Sequence, residues 1–187
     1  MYDICVIGAG PAGISSAVYA ASRGLKTIVL EQKKVGGLLG SVSTVTHYAG
    51  ILADETGESF SLRLNEQAER AGIEIAMEKV VEADLSGEVI RIVTEGTTYE
   101  AKAVIIAAGT TPRKLGIPVE DTFAGRGTGL NPAKDAKKYE GREAFVVGGA
   151  DGAVKEALFL SKFASKVTII HFEDTLGAIP EFTEKVK

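Results

Sequence analysis

The chain has 187 residues, 45% hydrophobic and 25% charged, with a net charge of −4 at pH 7. This is an ordinary globular composition with room for a substantial core, and its acidic balance gives no reason to expect nucleic acid or an anionic membrane as partner. No apolar run approaches the roughly 20 residues of a membrane helix and no basic, cleavable leader precedes the first apolar run, so a cytoplasmic protein is expected.

Tyr2 to Ile7 is a short apolar run of the kind that forms a strand buried in a parallel sheet. The one cysteine, Cys5, falls within it and reads as a small buried hydrophobe, and with no second thiol an internal disulfide is excluded. GAGPAG, Gly8 to Gly13, follows directly. In such a turn the first glycine allows the tight bend, the second lets backbone approach a pyrophosphate, and the third lets the helix lie close to the strand. Pro11 suits the first turn of the helix expected from about Ala12 to Arg23, which Gly24 ends. The free N–H groups at the start of that helix form an anion site. A second strand, Lys26 to Leu30, then reaches Glu31, 18 residues beyond Gly13, where a carboxylate takes the ribose hydroxyls of a dinucleotide. Glycine turns also recur for purely structural reasons, but here strand, turn, helix, strand and acid fall in register.

From Gln32 to Gly50 runs a loop containing Gly36-Gly37 and then small and hydroxyl residues. It either lies flat against a ligand or is a plain polar connection. Thr56 to Ala71 reads as an amphipathic helix with Phe60, Leu64 and Ala68 on one face. Ile73 to Met77 reads as a further parallel strand. Short alternating runs, Val80 to Leu85, Val89 to Thr94 and Thr97 to Tyr99, suggest an antiparallel meander. Ala101 to Ala108 reads as a fully buried strand. Gly116 to Gly141 is loop-like and marks a domain boundary. Beyond it the opening pattern repeats: a strand at Glu143 to Val147, a glycine turn at Gly148 to Ala153, a helix at Gly152 to Phe163, a strand at Lys166 to His171, and a helix opened by Pro180.

Several segments together resemble the low-molecular-weight thioredoxin reductase family, FAD-dependent pyridine nucleotide-disulfide oxidoreductases. They are GAGPAG with Glu31; Gly36-Gly37-Leu38-Leu39 followed by Tyr48-Ala49-Gly50; VIIAAGTTP at Val104 to Pro112; Gly116-Ile117-Pro118 with Gly125-Arg126-Gly127; and VGGADGAVKEALFLS at Val147 to Ser161. The resemblance implies an α/β fold of two Rossmann-like three-layer units. Residues 1–115 would form an FAD-binding domain with a β-meander, lacking its usual C-terminal return segment. Residues 116–141 would be the linker, and 142–187 a partial NAD(P)-binding-like domain. FAD would lie along Gly8, Gly10, Pro11, Ala12 and Gly13 with its adenosine ribose on Glu31, beside Gln32, Gly36, Gly37, Leu38 and His47, with backbone contacts from Val80, Ala108 and Gly109.

The chain departs from the family where the family does chemistry. Counting forward from Gly125-Arg126-Gly127 puts Asn131 and Lys134 at the two positions of the redox Cys-x-x-Cys, with Asp135 on the family's proton-handling acid; no dithiol remains for disulfide exchange. Ala150 replaces the middle glycine of the second turn, and its methyl group obstructs the closest phosphate approach. Where the family has His-Arg-Arg and a further Arg for the 2′-phosphate of NADPH, this chain has His171-Phe172-Glu173 and Gly177. NADPH is therefore disfavoured, while Glu173 would suit a ribose hydroxyl of NADH or be a solvated acid. Leu38 stands where the family usually has Gln. His47 replaces an Asn beside the flavin, as a hydrogen-bonding group or as a loop residue packed on Tyr48. No residue is assigned a catalytic role and no metal is expected.

These readings predict an FAD flavoprotein oxidoreductase that passes electrons between flavin and NADH or a ferredoxin- or flavodoxin-like carrier. It would be a homodimer or have a second chain completing the FAD domain. Alternatives are a non-catalytic nucleotide-binding or assembly subunit and a fragment of a longer reductase.

Overall fold

The structure is a computed structural model that describes residues 1–123, 125–129, 132 and 136–186. The chain divides into two compact units, Met1–Lys114 and Leu115–Lys187.

In the first unit, β1 (Tyr2–Ile7), α1 (Pro11–Ser22) and β2 (Thr27–Leu30) form a strand–helix–strand crossover. A 3-10 turn at Gly37–Ser41 and α2 (Gly57–Arg70) lead to β3 (Glu74–Ala76), followed by β4 (Val80–Asp84), β5 (Ile90–Thr94) and β6 (Thr98–Ile106). These make one six-stranded sheet in the order β3-β2-β1-β6-β5-β4. The pairs β2–β3, β1–β2 and β1–β6 are parallel, whereas β5–β6 and β4–β5 are antiparallel. The α/β architecture expected from the residues is therefore present.

One strand differs from its sequence reading. Thr97–Tyr99 and Ala101–Ala108 were expected as separate strands, but β6 is continuous across Glu100. Its first half pairs with β5 and its second with β1, the exchange falling at Ala101, which faces both Ile90 and Tyr2. Nor is β6 buried throughout. Lys102, Ala103 and Ile106 are exposed, because the neighbouring layers cover only part of the strand.

Helices and meander pack on opposite faces of the parallel strands. Val6 and Val29 point toward Ile14 and Ala17 of α1 and Phe60, Leu64 and Ala68 of α2. Cys5, Ile28 and Leu30 alternate to the other face, where Ile92 and Ala101 of the meander meet them. Thr56 starts α2 with a capping box: its hydroxyl accepts the Ser59 N–H at 3.1 Å while the Ser59 hydroxyl accepts the Thr56 N–H.

The second unit holds β7 (Glu143–Val147), α3 (Asp151–Leu160), β8 (Lys166–Ile170) and one turn of helix, α4 (Pro180–Thr183). β7 and β8 are parallel, in register from Glu143↔Lys166 to Val147↔Ile170. Val154, Ala157 and Leu160 of α3, Ala144 of β7 and Phe182 of α4 are buried. Asp151 accepts the Ile179 N–H at 2.7 Å, tying the loop after β8 to the start of α3.

Candidate functional site

The glycine turn after β1 divides its work among three positions. Gly8 has φ +102°, and a Cβ there would collide with the Ala107 carbonyl, so the turn requires glycine on both counts. A Cβ on Gly13 would collide with the Gly8 carbonyl, so this position sets how closely α1 lies on the strand. Gly10 differs. Its backbone is ordinary, with φ −72° and ψ −178°, and a Cβ would meet nothing within 4 Å. That open direction leads into a groove of about 510 Å³ at the carboxyl ends of the parallel strands, the place where ligands sit in open α/β sheets.

Glu31 follows β2 on the groove wall and is 7% exposed. Its Oε2 accepts the Ala9 N–H at 2.9 Å, and Oε1 accepts those of Lys33 and Lys34 at 2.8 and 3.3 Å. Three amides thus fix the carboxylate, and Oε2, with one N–H, keeps capacity for a hydroxyl.

The groove is lined by Gly8, Gly10, Pro11, Glu31, Gln32, Gly36, Gly37, Leu38, Val80, Ala108 and Gly109 among the expected residues. Ala12, Gly13 and His47 do not line it. Ala12 is exposed on α1 and Gly13 is consumed in helix–strand packing. His47 is exposed at φ +51°, with Nδ1 3.0 Å from Thr46 Oγ1, and the neighbouring Tyr48 packs edge-on against Phe60. Lys33, Lys34, Ser41, Glu78 and Lys79 also line the groove and were not anticipated. Lys33 and Lys34 follow Glu31 directly, which could have signalled them. Glu78 could not have been found locally: its carboxylate is held by Thr94 and Tyr99 hydroxyls from β5 and β6, at 2.5 and 3.0 Å.

The redox positions are more sparing. Asn131, Lys134 and Asp135 lie outside the described residues. Cys5 is fully buried, and that burial pushes its thiol up to about 11, so it is no thiolate at neutral pH. In the second turn Gly148 has φ +125°, and Ala150 stands at the start of α3 where Gly10 stands at the start of α1.

Residues 2–187 match the family model described as pyridine nucleotide-disulphide oxidoreductase. The chain belongs to this family. It is 44% identical over 185 residues to the thioredoxin reductase of Peptoclostridium acidaminophilum, an alignment covering 99% of this chain and 59% of that protein. With the Bacillus subtilis thioredoxin reductase it shares 39% over 179 residues, 95% of this chain and 56% of the relative. It thus spans a little under three fifths of the length of these family members. The crystal structure of Lactococcus lactis thioredoxin reductase superposes with a TM-score of 0.90 at 34% identity, covering 99% of this chain and 61% of that one. A ferredoxin-flavin thioredoxin reductase from Clostridium acetobutylicum aligns at 33% identity with a TM-score of 0.56, covering 96% and 62%.

Proposed function

We propose that this chain is an FAD-binding flavoprotein oxidoreductase of the thioredoxin reductase type. The observation that carries this reading is the Gly10 position, whose missing Cβ opens onto the groove beside the immobilised Glu31 carboxylate. The residues fit the cofactor in three ways. The start of α1 offers N–H groups and a dipole to the pyrophosphate. Glu31 Oε2 accepts a ribose hydroxyl, and Gln32, Val80, Ala108 and Gly109 border the same groove. Gly36 and Gly37, both at positive φ, turn the chain past the glycine turn, with the Gly36 N–H on the Ala9 carbonyl at 2.8 Å, and Leu38 lines the groove beside them. FAD, when bound, supplies the electron-transfer chemistry, and the chain binds it, orients it and limits its contact with water.

Dithiol–disulfide exchange is not part of the proposal. Amide and ammonium stand at the two positions counted for cysteines, and the single thiol is buried and protonated. Electrons would instead pass between flavin and NADH or a protein carrier of the ferredoxin or flavodoxin class. NADPH is disfavoured because Glu173 stands where the family places a cation. The domain division 1–115, 116–141 and 142–187, a cytoplasmic setting, and assembly as a homodimer or with a chain that completes the FAD domain belong to the same reading. A competing reading, a non-catalytic nucleotide-binding subunit or part of a longer reductase, draws on the Ala150 methyl and on the share of the relatives' length that the chain covers.

An absorption spectrum of the purified protein tests the proposal. Visible flavin bands are expected in the protein as isolated or after incubation with FAD, bleaching on anaerobic addition of a suitable donor. A protein that stays colourless with excess FAD overturns it, and bands that no donor bleaches favour the non-catalytic reading.

A further inference from the structure

Glu78 lines the groove from the corner between β3 and β4, where Glu31 already supplies the carboxylate that a ribose needs. Its own carboxylate is committed to the meander. Oε2 accepts the Thr94 hydroxyl at 2.5 Å and Oε1 the Tyr99 hydroxyl at 3.0 Å, one from the end of β5 and the other from the start of β6. Thr94 is 5% exposed, and its Oγ1 also accepts the Thr97 and Gly96 N–H groups at 2.9 and 3.3 Å, closing the turn that joins those strands. Burial, and then the bond to Glu78, raise the Tyr99 hydroxyl above its ordinary range, so it stays a donor at neutral pH. Two hydroxyls on one carboxylate are charge-assisted bonds, roughly twice as strong as neutral ones.

The backbone runs the same way. Glu95 N–H donates to the Lys79 carbonyl at 3.2 Å, and Val80 pairs with Thr94 across the ladder. The register then shifts between Val80 and Glu82, an irregularity of the kind that re-aims a strand beside a site. The Lys79–Glu95 ion pair at 3.5 Å is exposed at both ends and adds little. On the other side, the Ala76 carbonyl accepts both the Glu31 N–H and the Glu78 N–H, each at 3.0 Å. Glu31 and Glu78 thus meet at one carbonyl, and the corner stands beside the adenosine end of a ligand whose ribose reaches Glu31. Lys79 and Val80, which follow Glu78, line the groove as well.

We infer that Glu78 is a positioning residue for the dinucleotide: by gripping Thr94 and Tyr99 it holds the Lys79–Val80 corner in place as the wall for the adenosine end of FAD. It acts through that corner and not as a ligand contact. The inference rests on the flavoprotein reading, which supplies the ligand.

The test is titration of the full chain, freed of cofactor, with FAD and with ADP, which carries the adenosine end alone. Glu78→Ala should weaken both by about tenfold and Tyr99→Phe by about threefold. Glu78→Gln should lose less than Glu78→Ala, because its amide takes the Thr94 hydroxyl on oxygen and donates to Tyr99. The constants are read well below the melting temperature, on variants with the parent's circular dichroism, so a residue that serves stability alone would leave them unchanged. Should Glu78→Ala fail to fold, Tyr99→Phe decides alone. Unchanged constants, a loss for FAD that ADP does not share, or a Gln variant as weak as the Ala variant overturns the inference. A parent that binds neither FAD nor ADP defeats the flavoprotein reading and the inference together. A parent that binds both, with variants that bind as well, defeats the inference alone.

Discussion

Three glycines within six residues have three different physical reasons, and only one of them concerns a ligand. Gly8 and Gly13 are demanded by the chain itself, through positive φ at Gly8 and close backbone contact at both. Gly10 is free of both demands, which is what ties it to a ligand. Gly10→Ala should therefore leave stability within about 1 kcal/mol of the parent, yet weaken FAD binding by about 1–3 kcal/mol, the cost of forcing a methyl group into a filled site. Gly13→Ala should do the reverse and lower the thermal midpoint even without cofactor, because its methyl meets a backbone carbonyl that cannot step aside. Thermal melts and FAD fluorescence titrations of the two variants separate the roles. Equal losses of affinity and stability in both would remove the distinction.

At the scale of elements, the loop between β2 and α2 forms the Gly36–Ser41 wall of the groove, and an ion pair to a buried carboxylate fixes its far end. The Glu55 side chain is 1% exposed and takes Arg63 Nη1 on both oxygens, at 3.1 and 2.8 Å, while also accepting the Leu52 N–H at 3.0 Å. Arg63 Nη2 donates to the Gly50 carbonyl at 3.2 Å. Nearer the groove, a Cβ on Gly57 would collide with the Leu39 carbonyl, so the first turn of α2 sits directly against the 3-10 turn. Arg63→Ala leaves a buried carboxylate without its partner. The expected loss is about 3 kcal/mol, the low end of the range for such pairs because water can reach the half-exposed Arg63 site. Glu55→Gln added to that variant should restore part of it. Hydrogen exchange should show faster opening of residues 44–55 in the single variant, and unchanged protection there would mean that the clamp does not hold the loop.

For the whole molecule, two compact units with separate cores are expected to unfold in two steps rather than one. Every residue lining the groove lies at or before Pro112, so FAD should raise only one transition. At a free concentration of 100 times Kd the gain is about 2.7 kcal/mol. Scanning calorimetry with and without FAD reads this directly. A cofactor that raises both transitions equally would mean that the units melt as one or that the site draws on both.

Residues 1–31 were legible without any structure, because their information is local. The turn glycines, the helix start at Pro11 and the acid after β2 are all set by neighbours in sequence, and the same holds for the repeat at Gly148 to Ile170. The helix beginning at Thr56 and its apolar face of Phe60, Leu64 and Ala68 were equally readable. Tertiary structure decided the rest. Only the sheet shows β6 passing unbroken from β5 to β1 at Ala101, since the exchange depends on strands 70 or more residues away from each other in the chain. Glu78 becomes a groove residue only when Thr94 and Tyr99 arrive to hold it, and Glu55 becomes a buried clamp only when α2 presents Arg63. The contrast between Gly10 and Gly13 has the same origin. Sequence places glycine at both, but what a Cβ would strike is a property of packed neighbours.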